Sequence, residues 1–227
     1  MRDASSPAPV RPAPEVAGAI VGVVLAGGLA TRLGGGDKGL LPLAGRPILA
    51  HVVERLGPQV DRLILNANGD PARFAAFGLP VVADSVAGHP GPLAGILAGM
   101  ERAAAEGATA IVTAAGDTPF LPRDLVARLA AAGSPVAIAV TPSAAGRRHH
   151  PVFGLWPVGL RDDLRAALLA GTRRVADWAR RHGAAEVAFP DEAAFFNVNR
   201  PGDLDRAREL AGELARDLDQ DPARRPA

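Results

Sequence analysis

The chain has no cysteine and no tyrosine, and aromatic residues make up 4% of its 227 positions. Without Cys there is no disulfide, no thiolate metal site and no thiol nucleophile. Without Tyr there is no phenolic acid and no Tyr stacking platform. The two tryptophans, Trp156 and Trp178, read as core. No apolar run approaches the ~18 residues of a membrane-spanning helix, so no membrane partner is expected. A charge excess is missing too. Lys and Arg total 25, Asp and Glu total 24, and the net charge is +1. A chain that neutralises many phosphates needs a basic surface, so a nucleic-acid scaffold is excluded and any anion site must be local. Neither G-x-S-x-G nor H-E-x-x-H occurs. The P-loop pattern fails as well, because Lys38 follows Asp37 and precedes Gly39.

What is present is globular in composition, with 48% hydrophobic and 22% charged residues. That length and composition suit one domain with a sizeable core. Residues 1–18 hold four prolines among Ala and Ser and read as a disordered tail. Residues 213–227 read as a flexible charged tail, which leaves 19–212 as the domain. The segment "AGAIVGVVLAGGLA" imitates a secretory signal core. Asp3 and Glu15 make the stretch before it a poor signal flank, so a cytoplasmic protein is expected.

Within 19–212, short apolar runs alternate with helical periods. "AIVGVVLA", "DRLILNAN", "LPVVAD", "ATAIVTAAGD", "SPVAIAVT", "HHPVFGLW", "AEVAF" and "AFFNVN" are predicted strands. "RPILAHVVERL" is a predicted helix, with Pro47 suited to its first turn. In "GPLAGILAGMERAAAEG", Leu93, Ile96, Leu97 and Met100 fall on one helical face. A short helix is predicted over Pro71–Phe77. "LPRDLVARLAAAG", "VGLRDDLRAALLAG", "RRVADWARRHG" and "PGDLDRARELAGEL" complete the helical set, with Pro201 at the start of the last. The alternation predicts an α/β fold, a Rossmann-like and mostly parallel sheet with helices on both faces. Ligands of such sheets bind beyond the carboxyl ends of the strands. Gly27, Gly28, Asn66, Asn68, Asp84 and Asp117 all fall there.

Each of these residues has a plain reading beside a functional one. Glycines after the first strand let backbone N–H groups approach a phosphate. Arg32 and Lys38 then suit a triphosphate, whose charge must be neutralised before attack at phosphorus. Solvated cations on a surface loop are the alternative. A literal G-x-G-x-x-G stands at Gly34, Gly36 and Gly39. The glycines do not directly follow the strand, and Glu54 sits inside a helix, so the dinucleotide context fails. Asp117 in "GDTPFLP" can hold Mg²⁺, or it can form a turn or cap. Asp84 offers acceptors to the N–H edge of a guanine, or serves a turn. Asn66 and Asn68 can read a base or ribose, or form an Asx turn. Arg147, Arg148, His149 and His150 suit a second anionic substrate, or mark a solvated hairpin end. Adjacent histidines on a strand point opposite ways, so both holding one metal is not expected. Asn197 and Asn199, two apart, share one face if the segment is a strand.

Taken together, "LAGG" with Arg32 and "DKGLL", then "LNAN", "VADS", "GPLAGILAGM", "GDTPFLP", "HHPVF", "GTRRV" and "FFNVNRPGDL", resemble the molybdopterin-type nucleotidyltransferases in order and spacing. The likeness spans roughly Ile20 to Leu210 and is most specific to the molybdenum cofactor guanylyltransferases of that family. It implies a nucleotide-diphospho-sugar transferase-like fold and transfer of GMP from GTP to molybdenum-bound molybdopterin. Position by position, it implies that Leu25, Ala26, Gly27, Gly28, Lys38, Asn66, Asp84 and Asp117 bind GTP. Asp117 would also hold Mg²⁺. Arg32, Lys38 and Asp117 would be the catalytic set. Arg148, His150, Asn197 and Asn199 would face the acceptor. Chaperones of molybdenum enzymes or other cofactor-biosynthesis proteins are the implied further partners. A cytidylyl transferase, a sugar-phosphate nucleotidyltransferase and a non-catalytic nucleotide-binding module are the alternatives.

Overall fold

The structure is a computed structural model that describes residues 18–27, 37–88, 91–144 and 146–220; the side chains of 201 and 215–220 lie outside that description. Residues 1–17 of the expected tail at 1–18, the end of the chain at 221–227, and the loop residues Gly28, Arg32, Gly34, Gly35 and Gly36 are outside the described residues.

The strands and helices, in chain order, are β1 (Ile20–Leu25), β2 (Pro42–Leu43), β3 (Arg46–Pro47), α1 (Ile48–Leu56), β4 (Arg62–Asn66), β5 (Val81–Val82), α2 (Pro92–Ala105), β6 (Ala110–Ala115), α3 (Leu125–Ala130), β7 (Ala137–Ser143), β8 (Gly146–Pro157), α4 (Arg161–Leu169), α5 (Val175–Arg181), β9 (Ala185–Ala188) and α6 (Pro201–Gln220). One sheet runs β5-β4-β1-β6-β8-β7-β9, and β2 with β3 forms a small separate ribbon. Every pairing in the large sheet is parallel except those of β8, which is antiparallel to β6 and β7.

Alternate residues of each strand feed opposite faces. Val24, Leu65 and Val112 pack with Leu49, Val52 and Leu56 of α1 and Leu125 and Leu129 of α3. Val23, Ile64 and Ile111 pack with Ile96, Leu97 and Met100 of α2, Leu164 of α4 and Trp178 of α5. Trp156 and Trp178 are fully buried, with ring centroids 5.4 Å apart. A smaller cluster joins Leu43 and Ile48 to Phe120, Val198, Ala207 and Leu210, so α6 closes over the ribbon.

Register fixes the ligand edge. Leu25 lies opposite Asn66 on one side and Ala115 on the other, so β1, β4 and β6 end together. Val82 pairs with Asn66, which brings Asp84 to the same edge.

The structure departs from the sequence expectations in three places. "AFFNVN" is not a strand: Ala193–Phe195 form a 3-10 turn, and the segment after it is extended but unpaired. Its backbone contact with the strand-end region is one bond from Val198 N to Asp117 O, 3.0 Å, because Phe195 and Val198 turn inward as anchors. The short helix expected over Pro71–Phe77 is present, as a 3-10 helix capped by Asp70, whose carboxylate accepts from Ala72 N. Pro47 ends β3 and caps α1 from outside instead of sitting in its first turn. Finally, α6 continues to Gln220, past residue 212, where the sequence reading began the tail. Leu, Ala, Arg, Glu and Gln in that stretch are good helix formers.

Candidate active site

The strand ends open into a cavity of about 440 Å³. Leu25, Ala26, Gly27, Lys38, Asn66, Asn68, Asp84, Asp117 and Asn197, each singled out from the sequence, line it. They come from the ends of β1, β4, β5 and β6, which the common strand register brings to one edge, and from the Lys38 turn and the segment after Phe195.

On one flank, two amides hold a carboxylate. Asn66 Nδ2 donates to Asp84 Oδ1 at 2.9 Å and to Val82 O at 3.1 Å. Asn68 Nδ2 donates to Asp84 Oδ2 at 2.8 Å, and its own Oδ1 accepts from Asp84 N at 2.9 Å. The plain turn reading of these asparagines therefore gives way to a built platform. Among the described residues each carboxylate oxygen accepts one side-chain hydrogen bond, which leaves capacity for a further donor. Gly95 of α2 makes room for it: a Cβ there would lie 2.1 Å from Asn66 Oδ1.

On the other flank, Lys38 begins a 3-10 turn over Lys38–Leu40. Its Nζ donates to Asn199 Oδ1 at 2.5 Å and stands 3.8 Å from Asp117 Oδ2. Thr118 Oγ1 donates to Asn197 Oδ1 at 2.6 Å, and Thr118 is fully buried. Asn197 and Asn199 thus both reach the site, held by an anchored extended segment in place of the expected strand. Burial pushes the Asp117 carboxyl above its ordinary range, while the nearby Lys38 charge pulls it back. Asp117 does not cap a helix, since α3 starts at Leu125 with Asp124 at its cap position.

Glycines let these two parts meet. A Cβ on Gly39 would lie 3.2 Å from Leu49 Cβ and 3.3 Å from Gly116 O. A Cβ on Gly116 would lie 3.1 Å from Leu25 O. The turn bearing Lys38 therefore rests on the bend that presents Asp117. The third glycine of the literal dinucleotide pattern, Gly39, serves this packing.

A second cavity, about 460 Å³, adjoins the first through Asn197. Arg148, His150, Phe195, Phe196 and Arg206 line it. His150 stacks on Phe195 with centroids 4.5 Å apart, and one of its ring nitrogens bonds Thr141 Oγ1 at 2.9 Å. Burial lowers its pKa, and Arg148 adds to that effect, so the ring favours its neutral form. His149 turns the other way and pairs with Glu186 at 2.7 Å, as strand alternation predicts. Arg148 pairs with Glu192.

Sequence reasoning missed Gly95, Gly116 and Thr118. A glycine within a strong helical pattern was the available signal for Gly95. Nothing in the sequence distinguished Thr118 from an ordinary turn residue.

The chain resembles known proteins over most of its length. It is 55% identical over 192 residues to a molybdenum cofactor guanylyltransferase of Cereibacter sphaeroides, covering 84% of this chain and 96% of that one. It is 55% identical over 200 residues to a protein of the same name from Mesorhizobium japonicum, covering 84% and 95%. In fold it matches the crystal structure of molybdopterin-guanine dinucleotide biosynthesis protein A from Archaeoglobus fulgidus. The TM-score is 0.65 at 23% identity, over 86% of this chain and 99% of that one. A 2-C-methyl-D-erythritol 4-phosphate cytidylyltransferase from Thermus thermophilus shares the fold at TM-score 0.64 and 20% identity, over 87% and 99%. A model of the MobA-like NTP transferase domain matches residues 22–187, and with these relatives it establishes that the chain belongs to that nucleotidyltransferase family.

Proposed function

We propose that residues 19–212 form a catalytic domain that transfers GMP from GTP to the terminal phosphate of molybdenum-bound molybdopterin, releasing pyrophosphate. The observation that carries this reading is the single cavity with a carboxylate–amide platform at one end and Lys38 with Asp117 at the other. The names of the close relatives support the choice of substrates.

The platform suits a guanine. Asp84, held by Asn66 and Asn68, presents acceptors to the ring N–H and amino group of that base. Cytosine offers one amino donor there. At the other end, Ala26 and Gly27 bring backbone close to the ligand. Lys38, oriented by Asn199, neutralises phosphate charge. Gly28 and Arg32 extend the same site in this reading.

Asp117 suits Mg²⁺. Its carboxylate is buried, and Lys38 compensates it only from 3.8 Å. Among the described residues no group of three or more His, Asp or Glu could hold a metal by itself. A lone carboxylate completed by substrate phosphates and water is a normal Mg²⁺ donor set. When bound, the ion supplies Lewis-acid polarisation of the α-phosphate oxygens.

An acceptor phosphate oxygen forms the new bond to the α-phosphorus as the bond to the pyrophosphate oxygen breaks. The nucleophile is already anionic, so no strong general base is required. Catalysis is then positioning plus charge neutralisation. Arg148, neutral His150, Asn197 and Asn199 face the acceptor. Cytoplasmic residence and hand-over to a chaperone of molybdenum enzymes complete the reading. Among the described residues no helix is long and apolar enough to cross a membrane.

Pyrophosphate release measured with all four triphosphates, with and without molybdenum-bound molybdopterin, tests it. Release with GTP that depends on the pterin is expected. A preference for CTP, release with a sugar phosphate as acceptor, or GTP binding without turnover would each replace this reading with one of its rivals.

A further inference from the structure

Arg73 does not line the proposed nucleotide cavity, yet it contacts Asn68, which does, and Asp37, the neighbour of Lys38. Its Nη2 donates to Asn68 O at 2.5 Å and its Nη1 to Asp70 O at 2.8 Å. Its Nε lies 2.6 Å from Asp37 Oδ2. The guanidinium also sits over the Phe74 ring, 4.7 Å from the centroid. The turn around it is shaped to admit it. Gly69 has φ +83°, and a Cβ there would lie 3.0 Å from Arg73 Nη1.

The partners give the contact its meaning. Asp37 directly precedes Lys38, the cation of the phosphate end. Asn68 exchanges two hydrogen bonds with Asp84, the carboxylate of the base end. One guanidinium therefore ties the two ends together. The tie is not an ordinary surface pair, because the Asp37 side chain is only 8% exposed. Among the described residues neither Asp37 Oδ1 nor Arg73 Nε has a hydrogen-bond partner. The contact is thus held by charge, not by an aligned hydrogen bond. Removing the cation leaves a buried carboxylate uncompensated. The turn that bears Lys38 is then no longer pinned to the Asn68 end of the site. Lysine could answer the Asp37 charge but lacks the planar fork that also reaches two carbonyls.

We propose that Arg73 is a positioning residue that sets the spacing between the base-side and phosphate-side halves of the nucleotide site. A ligand spanning both halves then engages the second without a further search, as with any correctly spaced pair of linked sites. The proposal rests on the guanylyl-transfer reading above.

The test is calorimetric titration of the full chain with guanosine, pyrophosphate and GTP, for the parent, Arg73→Ala, Arg73→Lys and Asp37→Asn. In Arg73→Ala, guanosine and pyrophosphate affinities should change less than about twofold, while GTP affinity falls at least about tenfold. Arg73→Lys should fall between parent and Ala. Asp37→Asn should reproduce the GTP loss, and the double variant should lose no more than either single one, since both break one tie. Unchanged GTP affinity overturns the proposal. So does parallel weakening of all three ligands, which marks a merely structural role. If Arg73→Ala does not fold, Arg73→Lys and Asp37→Asn carry the same criteria. A parent protein that binds cytidine in preference to guanosine sinks the guanine reading alone. The spacing claim is then judged by the same criteria with cytidine and CTP.

Discussion

The two adjoining cavities are built in different ways. The first, the proposed nucleotide side, rests on strand ends in common register, on buried polar residues such as Asn66 and Thr118, and on glycines that leave no slack. The second, the proposed acceptor side, carries exposed charges held in pairs: Arg148 with Glu192, and Arg206 with Glu209 and Glu213. In the first of these pairs the side chains are 60% and 52% exposed. Such pairs contribute at most about 1 kcal/mol each. An anionic acceptor can therefore take the arginines from their carboxylates at little cost. In the proposed reading the difference separates a nucleotide socket built on buried, tightly packed groups from an acceptor surface whose exposed ion pairs are weak enough to exchange.

The largest effect that would sharpen this contrast is expected at Asp117. Asp117→Ala should lower guanylyl transfer by about 10²–10³-fold, the scale of losing one preorganised charge-stabilising group. Its circular dichroism should match the parent. Near-normal turnover would remove Asp117 from the catalytic set.

Gly95→Ala comes next. A Cβ placed 2.1 Å from Asn66 Oδ1 must displace that amide and with it one of the two clamps on Asp84. GTP affinity should fall about tenfold or more, or ~1.4 kcal/mol. Acceptor affinity should hold. Equal loss on both sides would show that the two cavities are not separately built.

Arg148→Ala should weaken acceptor binding only about two- to fivefold, consistent with an exposed charge. The loss should shrink at high salt, and the GTP titration should not move. A large, salt-independent loss would mean that the acceptor side is as preformed as the nucleotide side.

The smallest effect is on stability. Burial raises the Asp117 pKa above its ordinary 3.8, with Lys38 opposing the rise. The folded protein therefore holds that proton longer than the unfolded chain does. Stability declines as pH climbs from the unfolded value through the folded one, and is then level. In chelator, Asp117→Asn should show no thermal advantage below the ordinary carboxylate range and a growing one above it. Lys38→Ala should enlarge the penalty, because it removes the compensating charge. Thermal unfolding across pH checks both signs, and an Asn variant less stable than the parent at every pH would contradict them.

Most of the nucleotide side was legible in the sequence. Asn66, Asp84 and Asp117 each follow an apolar run, and strand periodicity with the edge rule for parallel sheets places them together. The acceptor side was legible only as residue types. Asn197 and Asn199 reach the site from an unpaired segment whose position depends on Val198 and Phe195 packing inward, which periodicity mimics as a strand. Long-range fits stayed hidden for the same reason. Gly95 against Asn66, Gly39 against Gly116 and Arg73 against Asp37 are contacts between distant segments, and no local pattern encodes them. Gly28 and Arg32, which the resemblance also assigns to the nucleotide, lie outside the described residues.

Lys38 is the only lysine in the chain, which offers a single reporter inside the proposed nucleotide socket. Protein grown with isotope-labelled lysine gives one side-chain ammonium signal for direct observation by NMR. Titration with GTP and Mg²⁺ in the absence of any pterin should shift that signal to saturation, with CTP and ATP moving it little. A signal that stays in place until the acceptor is added, or that responds equally to every triphosphate, would contradict a preformed guanine-nucleotide socket.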